Sequence, residues 1–199
     1  MSMNNFCLLL RKTRGQFDKP FVKGLEHNSN WPLVFLNKKQ KLFIDITTPQ
    51  GQKLFEGMFN GKTVYPDNFS KNLIIAHNVY LFGKGETEKK RGLKFAIEAF
   101  KLKPSQAPMQ KIMFAARFAE LKPHVNAFCK DYFDNFTKNK NLYAKQNSYS
   151  HRIVAALVVS DYLQRVAKKQ KNAKLVEYYA VEKQEYENER KRVLKRKRW

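Results

Sequence analysis

The sequence predicts a mainly α protein, a helical bundle of about five helices with a small β-containing N-terminal extension. Three observations predict it. All eight glycines lie at or before Gly92, and the 107 residues that follow contain none, with prolines only at 104, 108 and 123. A stretch so poor in backbone breakers reads as helices joined by short connectors. Short apolar runs bounded by turn residues are concentrated in the first 60 residues, where they read as strands. The length, 199 residues with 43% hydrophobic content, allows one ordinary core with appendages. This places an N-terminal extension with short strands at 1–60 and a helical domain at 61–199 that ends in a basic tail.

Leu33-Val34-Phe35-Leu36 and Leu42-Phe43-Ile44-Asp45-Ile46 read as strands, bounded by Asn37-Lys38-Lys39 and Thr48-Pro49-Gln50-Gly51. Gln52 to Phe59 is a candidate third strand. Asp67 can cap a first helix through His77 to about Phe82. Gly83-Lys84-Gly85 makes a turn, and Glu86 or Thr87 starts a second helix to about Leu102. Pro104 to Pro108 is a connector, with Pro108 in the first turn of a third helix that runs to Leu121. Met109, Ile112, Met113, Ala116 and Ala119 line one face of it, and Pro123 ends it. Residues 124–150 are polar and aromatic without clear period. A fourth helix begins near His151, and its apolar run Ile153 to Val159 predicts a central place in the core, with Ala156 and Leu157 buried. The last helix starts near Asn172.

Charge is the strongest functional signal. Lys and Arg total 39 against 17 Asp and Glu, a formal net charge of +22. Such self-repulsion suits a protein whose resting state is contact with a polyanion, because counterion release favours that contact. The 29 lysines, 16 asparagines and 16 phenylalanines all have A/T-rich codons and point to an A/T-rich genome such as an organelle's. Cys7 and Cys129 form no Cys-x-x-Cys, and His27, His77, His124 and His151 form no His-x-x-x-His, so zinc has no sequence support. No cofactor is expected. No apolar run approaches a membrane span of roughly 18–20 residues. Phe6 to Leu10 is followed, not preceded, by Arg11, Lys12 and Arg14, the reverse of a secretory signal, and no cleavable address is expected.

Four groups of basic residues are candidate RNA contacts. Seven of the nine residues 190–198 are basic: Arg190, Lys191, Arg192, Lys195, Arg196, Lys197 and Arg198. Trp199 follows as a ring that can stack on a base. A solvated tail is the plainer reading, and the global charge favours RNA over it. Lys84, Lys89, Lys90, Arg91 and Lys94 gather at the start of the second helix, where backbone N–H groups also favour phosphate. Lys138, Lys140, Lys145 and Arg152 are interleaved with Tyr143 and Tyr149. Lys168, Lys169 and Lys171 form a basic knot between the last two helices. Catalysis has poor support: His77 and His151 lack partners at diagnostic spacing, and Asp131 and Asp134 have no second acidic cluster for a two-metal nuclease. Gly83-Lys84-Gly85-Glu86-Thr87 lacks the phosphate-loop pattern. The chain is therefore expected not to be an enzyme and to have no small-molecule substrate.

The order of several motifs resembles the small-subunit ribosomal protein S-seven family of bacteria and organelles. Pro66-Asp67 stands before the first core helix. Gly83-Lys84 precedes the helix that contains Phe95-Ala96-Ile97-Glu98-Ala99-Phe100. Pro108 leads the next helix, and Leu121-Lys122-Pro123 closes it. Arg152 opens Ile153-Val154-Ala155-Ala156-Leu157, and the chain ends in Arg198-Trp199. The match covers roughly residues 64–199. This sequence departs from the family between 124 and 150, which contains no glycine or proline where the family has a β-hairpin with a Gly-Gly-Ala and a Tyr-x-Val-Pro element. The family's long arm between its last two helices is not evident, and the first 60 residues have no counterpart.

The resemblance implies a structural constituent of the ribosome that binds the 3′ domain of small-subunit rRNA and supports assembly of the subunit head. It implies a place near neighbouring ribosomal proteins, the exit-site tRNA and the mRNA path, here in a divergent mitochondrial ribosome. Two alternatives are another lineage-specific mitochondrial ribosomal protein and a subunit of a mitochondrial energy-transducing complex. For the latter, Phe43 to Gly51 followed by Leu54-Phe55-Glu56-Gly57 looks like the opening of an epsilon-type ATP synthase subunit, but the charge of the remainder argues against it.

Overall fold

The computed structural model describes residues 7–11, 20–36, 40–59, 62, 63 and 65–196. It is mainly α, with nine helices and one three-stranded sheet among the described residues. The chain divides into two compact units, Met1–Ala99 and Phe100–Trp199, rather than at residue 61.

In the first unit, β1 (Cys7–Arg11), β2 (Leu33–Leu36) and β3 (Gln40–Ile44) form an antiparallel sheet in the order β1-β3-β2, with Cys7 opposite Ile44 and Leu33 opposite Phe43. The third strand is thus Cys7–Arg11 and not Gln52–Phe59. Leu25 from α1 (Pro20–Glu26) joins Leu33 and Phe43 in a core that Leu8, Leu10, Trp31 and Leu36 flank.

Gln52 to Phe59 belongs to a helix, α2 (Pro49–Phe59). The residues read as a turn are its start. Thr48 Oγ1 accepts from the Gly51 N–H at 3.1 Å, and Pro49 stands at the first helical position, where its missing N–H costs nothing. A Cβ at Gly51 would lie 1.8 Å from the Asp45 carbonyl oxygen, so no other residue fits without movement.

α3 (Asn68–Phe82) starts where the sequence predicts, with Asp67 Oδ1 accepting the Ser70 N–H at 2.7 Å. Leu73 to Tyr80 are all buried, which makes α3 the centre of this unit. The N-terminal segment shares that core: α3 packs on β2, and Asn78 of α3 donates to the Leu33 carbonyl. This is why the boundary does not fall near Gly61. α4 (Gly85–Leu102) follows.

The second unit is helical among its described residues. α5 (Gln106–Phe114) does not reach Leu121; it tightens into a single 3₁₀ turn at Ala115–Arg117. Pro123 does not end a helix. It sits in the first turn of α6 (Lys122–Lys138), where proline is as well tolerated as after a helix end. α6 and α7 (Lys140–Ala144) occupy the stretch that showed no period. The buried residues Val125, Cys129, Phe133 and Phe136 do fall on one helical stripe, hidden among exposed polar neighbours. Residues 124–150 contain helices and no hairpin strand.

α8 (Tyr149–Lys169) packs against α5, α6 and α9 (Ala173–Arg196). Ile153, Ala155, Ala156, Val159 and Leu163 are buried, but Leu157 is only half-buried, contrary to the expectation from its apolar surroundings. The core between α6, α8 and α9 is aromatic. Phe133 and Phe136 meet Tyr186 edge-on, and Tyr186, itself fully buried, shares a hydrogen bond between its hydroxyl and Thr137 Oγ1.

Candidate nucleic-acid interface

Residues 100–199 carry 23 Lys or Arg against nine Asp or Glu, so most of the excess charge lies in the second unit. A three-residue connection turns α8 back into α9. The Asn172 N–H donates to the Ala167 carbonyl at 3.0 Å and the Lys171 N–H to that of Lys168 at 3.1 Å, the double bond of a Schellman motif. Lys171 takes the left-handed position, with φ 55°. Asn172 Oδ1 then accepts the Leu175 N–H at 3.1 Å and caps α9. The turn exposes Lys168, Lys169, Lys171 and Lys174, and none of the four has an acidic partner among the described residues. Lys168 and Lys169 also offset the negative end of the α8 dipole. Their number exceeds what that role needs, and on such a cluster of ammonium groups a phosphate contact would release counterions.

At the other end of α9, Arg190 and Lys191 are exposed and have no acidic partner among the described residues, while Arg192 meets Glu189 at 3.5 Å. Arg190 and Lys191 line a groove of about 560 Å³ whose floor includes Met113, Leu157 and Val158. Leu157 is half-buried because it forms this floor. Lys195 and Arg196 end α9, but their side chains, and all of Lys197, Arg198 and Trp199, lie outside the described residues.

The group at 138–152 is dispersed. Lys138 and Lys145 are exposed, with no acidic partner among the described residues. Lys140 meets Glu185 at 3.1 Å and the Tyr186 ring at 5.9 Å, which ties α7 to α9. Arg152 lies over the Tyr143 ring at 4.5 Å and donates from Nε to Ser148 Oγ at 3.2 Å. The interleaved rings are internal: Tyr143 stacks on Phe136 at 5.8 Å, and Tyr149 is buried. They are not offered to a base.

The group at 84–94 divides in the same way. Lys89 donates to the carbonyls of Tyr80 at 3.1 Å and Gly83 at 2.7 Å, capping the C-terminal end of α3. Arg91 contacts the rings of Phe59 and Phe95, donates to the Phe59 carbonyl at 2.8 Å and pairs with Glu88 at 3.1 Å. Lys90 pairs with Glu86 on the surface, and Lys84 and Lys94 are exposed with no acidic partner among the described residues. Two members of this group are therefore structural, and three remain on the surface.

Sequence reading passed over Arg117, Lys122 and Arg165, which line a second groove of about 740 Å³ with Phe114, Tyr162 and Lys169. Only the packing of α5 and α6 on α8 brings them together. Of the other polar side chains singled out in the sequence, His77 is buried, His151 is exposed, and Asp134 takes the Lys130 ammonium at 2.7 Å. Among the described residues no group of three or more His, Cys, Asp or Glu side chains is placed to hold a metal. No helix among them is long and apolar enough to cross a membrane. No family model, no curated protein and no solved structure matches the chain.

Proposed function

We propose that the chain is a structural, RNA-binding constituent of a ribosomal small subunit, a divergent organellar member of the S-seven type. One observation carries this reading. A net charge of +22 is accompanied by a knob of exposed, unpaired lysines at the α8–α9 turn and by unpaired Arg190 and Lys191 at the far end of α9. These residues have phosphate as their natural partner, because each contact releases counterions. The order of Pro66-Asp67, Gly83-Lys84, Pro108, Arg152 and Arg198-Trp199 supports the family. On this reading the protein contributes no catalytic group. It neutralises folded rRNA of the subunit head and holds it in place, beside neighbouring ribosomal proteins, the exit-site tRNA and the mRNA path, in a mitochondrial ribosome. Sedimentation of a mitochondrial lysate through a gradient at high salt tests it. The tagged full chain should travel with small-subunit rRNA; migration with a membrane-associated complex, or at the top of the gradient, would refute the proposal.

A further inference from the structure

We infer that the groove walled by α5, α6 and α8 is a pocket for one unstacked nucleotide of the bound RNA. The inference rests on the reading that the chain binds RNA, and it names what this surface recognises. The guanidinium of Arg117 lies 4.4 Å over the ring of Phe114. Held over the ring and exposed to solvent, this planar cation offers a platform on which a base can stack. Lys122 and Lys169 add two exposed ammonium groups, and no Asp or Glu lines the groove. The chain therefore presents a positive opening to a phosphate beside the platform.

The hydrogen-bonding groups favour a base over an apolar peptide. Asn126 Oδ1 accepts from the Tyr162 hydroxyl at 2.6 Å, which leaves the Asn126 amide N–H groups without a partner among the described residues. The side-chain amides of Gln110 and Gln170 also line the groove with no such partner. An apolar helix laid over three free amides would strand them without hydrogen bonds, whereas a base edge supplies donors and acceptors. The neighbouring groove, floored by Leu157 and Val158, contains no aromatic ring and lacks this chemistry.

The test compares the full chain and its R117K variant on two RNA duplexes of one sequence, fully paired and with a single-nucleotide bulge. Arg117 is exposed, so the substitution keeps the charge and the fold and removes only the planar face. The unmodified chain should bind the bulged RNA about fivefold or more tightly than the paired one, as expected for one stacked base. R117K should lose that preference while binding the paired duplex as before, with the same salt dependence. A 4-thiouridine at the bulge should crosslink within residues 110–126 or 162–170. RNA binding without a bulge preference, a preference that R117K leaves intact, or crosslinks that map elsewhere would each overturn the pocket alone, and a groove made for a protein helix would give the first of these. Absence of binding to either RNA would overturn the pocket together with the RNA-binding reading.

Discussion

The side-chain amide of Asn78 donates to the backbone carbonyl of Leu33 across 2.7 Å, and Asn78 is completely buried. A second bond runs from the same nitrogen to the Ile74 carbonyl at 3.1 Å. The nitrogen of this buried amide is bonded while its Oδ1 has no partner among the described residues, and the bond to Leu33 ties the central helix to β2. Asn78→Ala should destabilise the protein by about 1–3 kcal/mol. Urea denaturation followed by circular dichroism measures this; an unchanged midpoint would show that the bond holds nothing.

Burial along α8 predicts a ranking. Ile153 is completely buried, and Leu157, one turn on, is half-buried over a groove. Ile153→Ala should cost about 2–5 kcal/mol. Leu157→Ala should cost less, because its cavity opens to solvent. Thermal melts of the two variants check the order, and equal losses would place Leu157 in the core after all.

The misread elements share a physical cause. Asp67 and the Gly83-Lys84-Gly85 turn were legible because capping and turning are local chemistry. Pro123 and Thr48-Pro49 were not, since the same residue types stop one helix and start another. Cys7–Arg11 becomes a strand by pairing with Gln40–Ile44, a non-local event. The interface shows the same division. Charge singled out the lysines of the α8–α9 turn as candidates, and only packing shows that Lys89 caps α3 and Arg91 lies against aromatic rings. The same holds for Arg117 and Lys122, which nothing nearby in sequence singles out.

Lys171 occupies a left-handed position that favours glycine, at φ 55°. Lys171→Gly should stabilise the α8–α9 hairpin by up to about 1 kcal/mol. It should also weaken RNA binding slightly, since one unpaired cation is lost. Opposite movement of melting temperature and RNA affinity is the expected signature; a lower melting temperature would contradict the turn geometry.

Burial pushes the Cys129 thiol up to about 12, from an ordinary value of 9.0. Desolvation likewise pushes the Tyr65, Tyr149 and Tyr162 hydroxyls up to about 12. The folded state holds these protons more tightly than the unfolded one. Their contribution is therefore complete below about pH 9 and is lost as pH rises towards 12. Unfolding monitored from neutral to alkaline pH should show stability falling in that window, and a flat profile would contradict it. At neutral pH exposed Cys7 should react with a thiol reagent, while Cys129 should react only after denaturation.

The salt dependence of RNA affinity tests the central claim most directly. Among the described residues the last completely buried one of α9 is Tyr186, so a chain ended after Glu189 should keep its fold while losing the seven basic residues from Arg190 to Arg198. If six or more phosphates are engaged, affinity of the full chain should fall by roughly a thousandfold or more between about 50 and 200 mM salt. The shortened chain should bind more weakly, with a shallower slope, and give an unchanged circular dichroism spectrum. A full chain whose affinity for RNA does not change with salt would contradict the account.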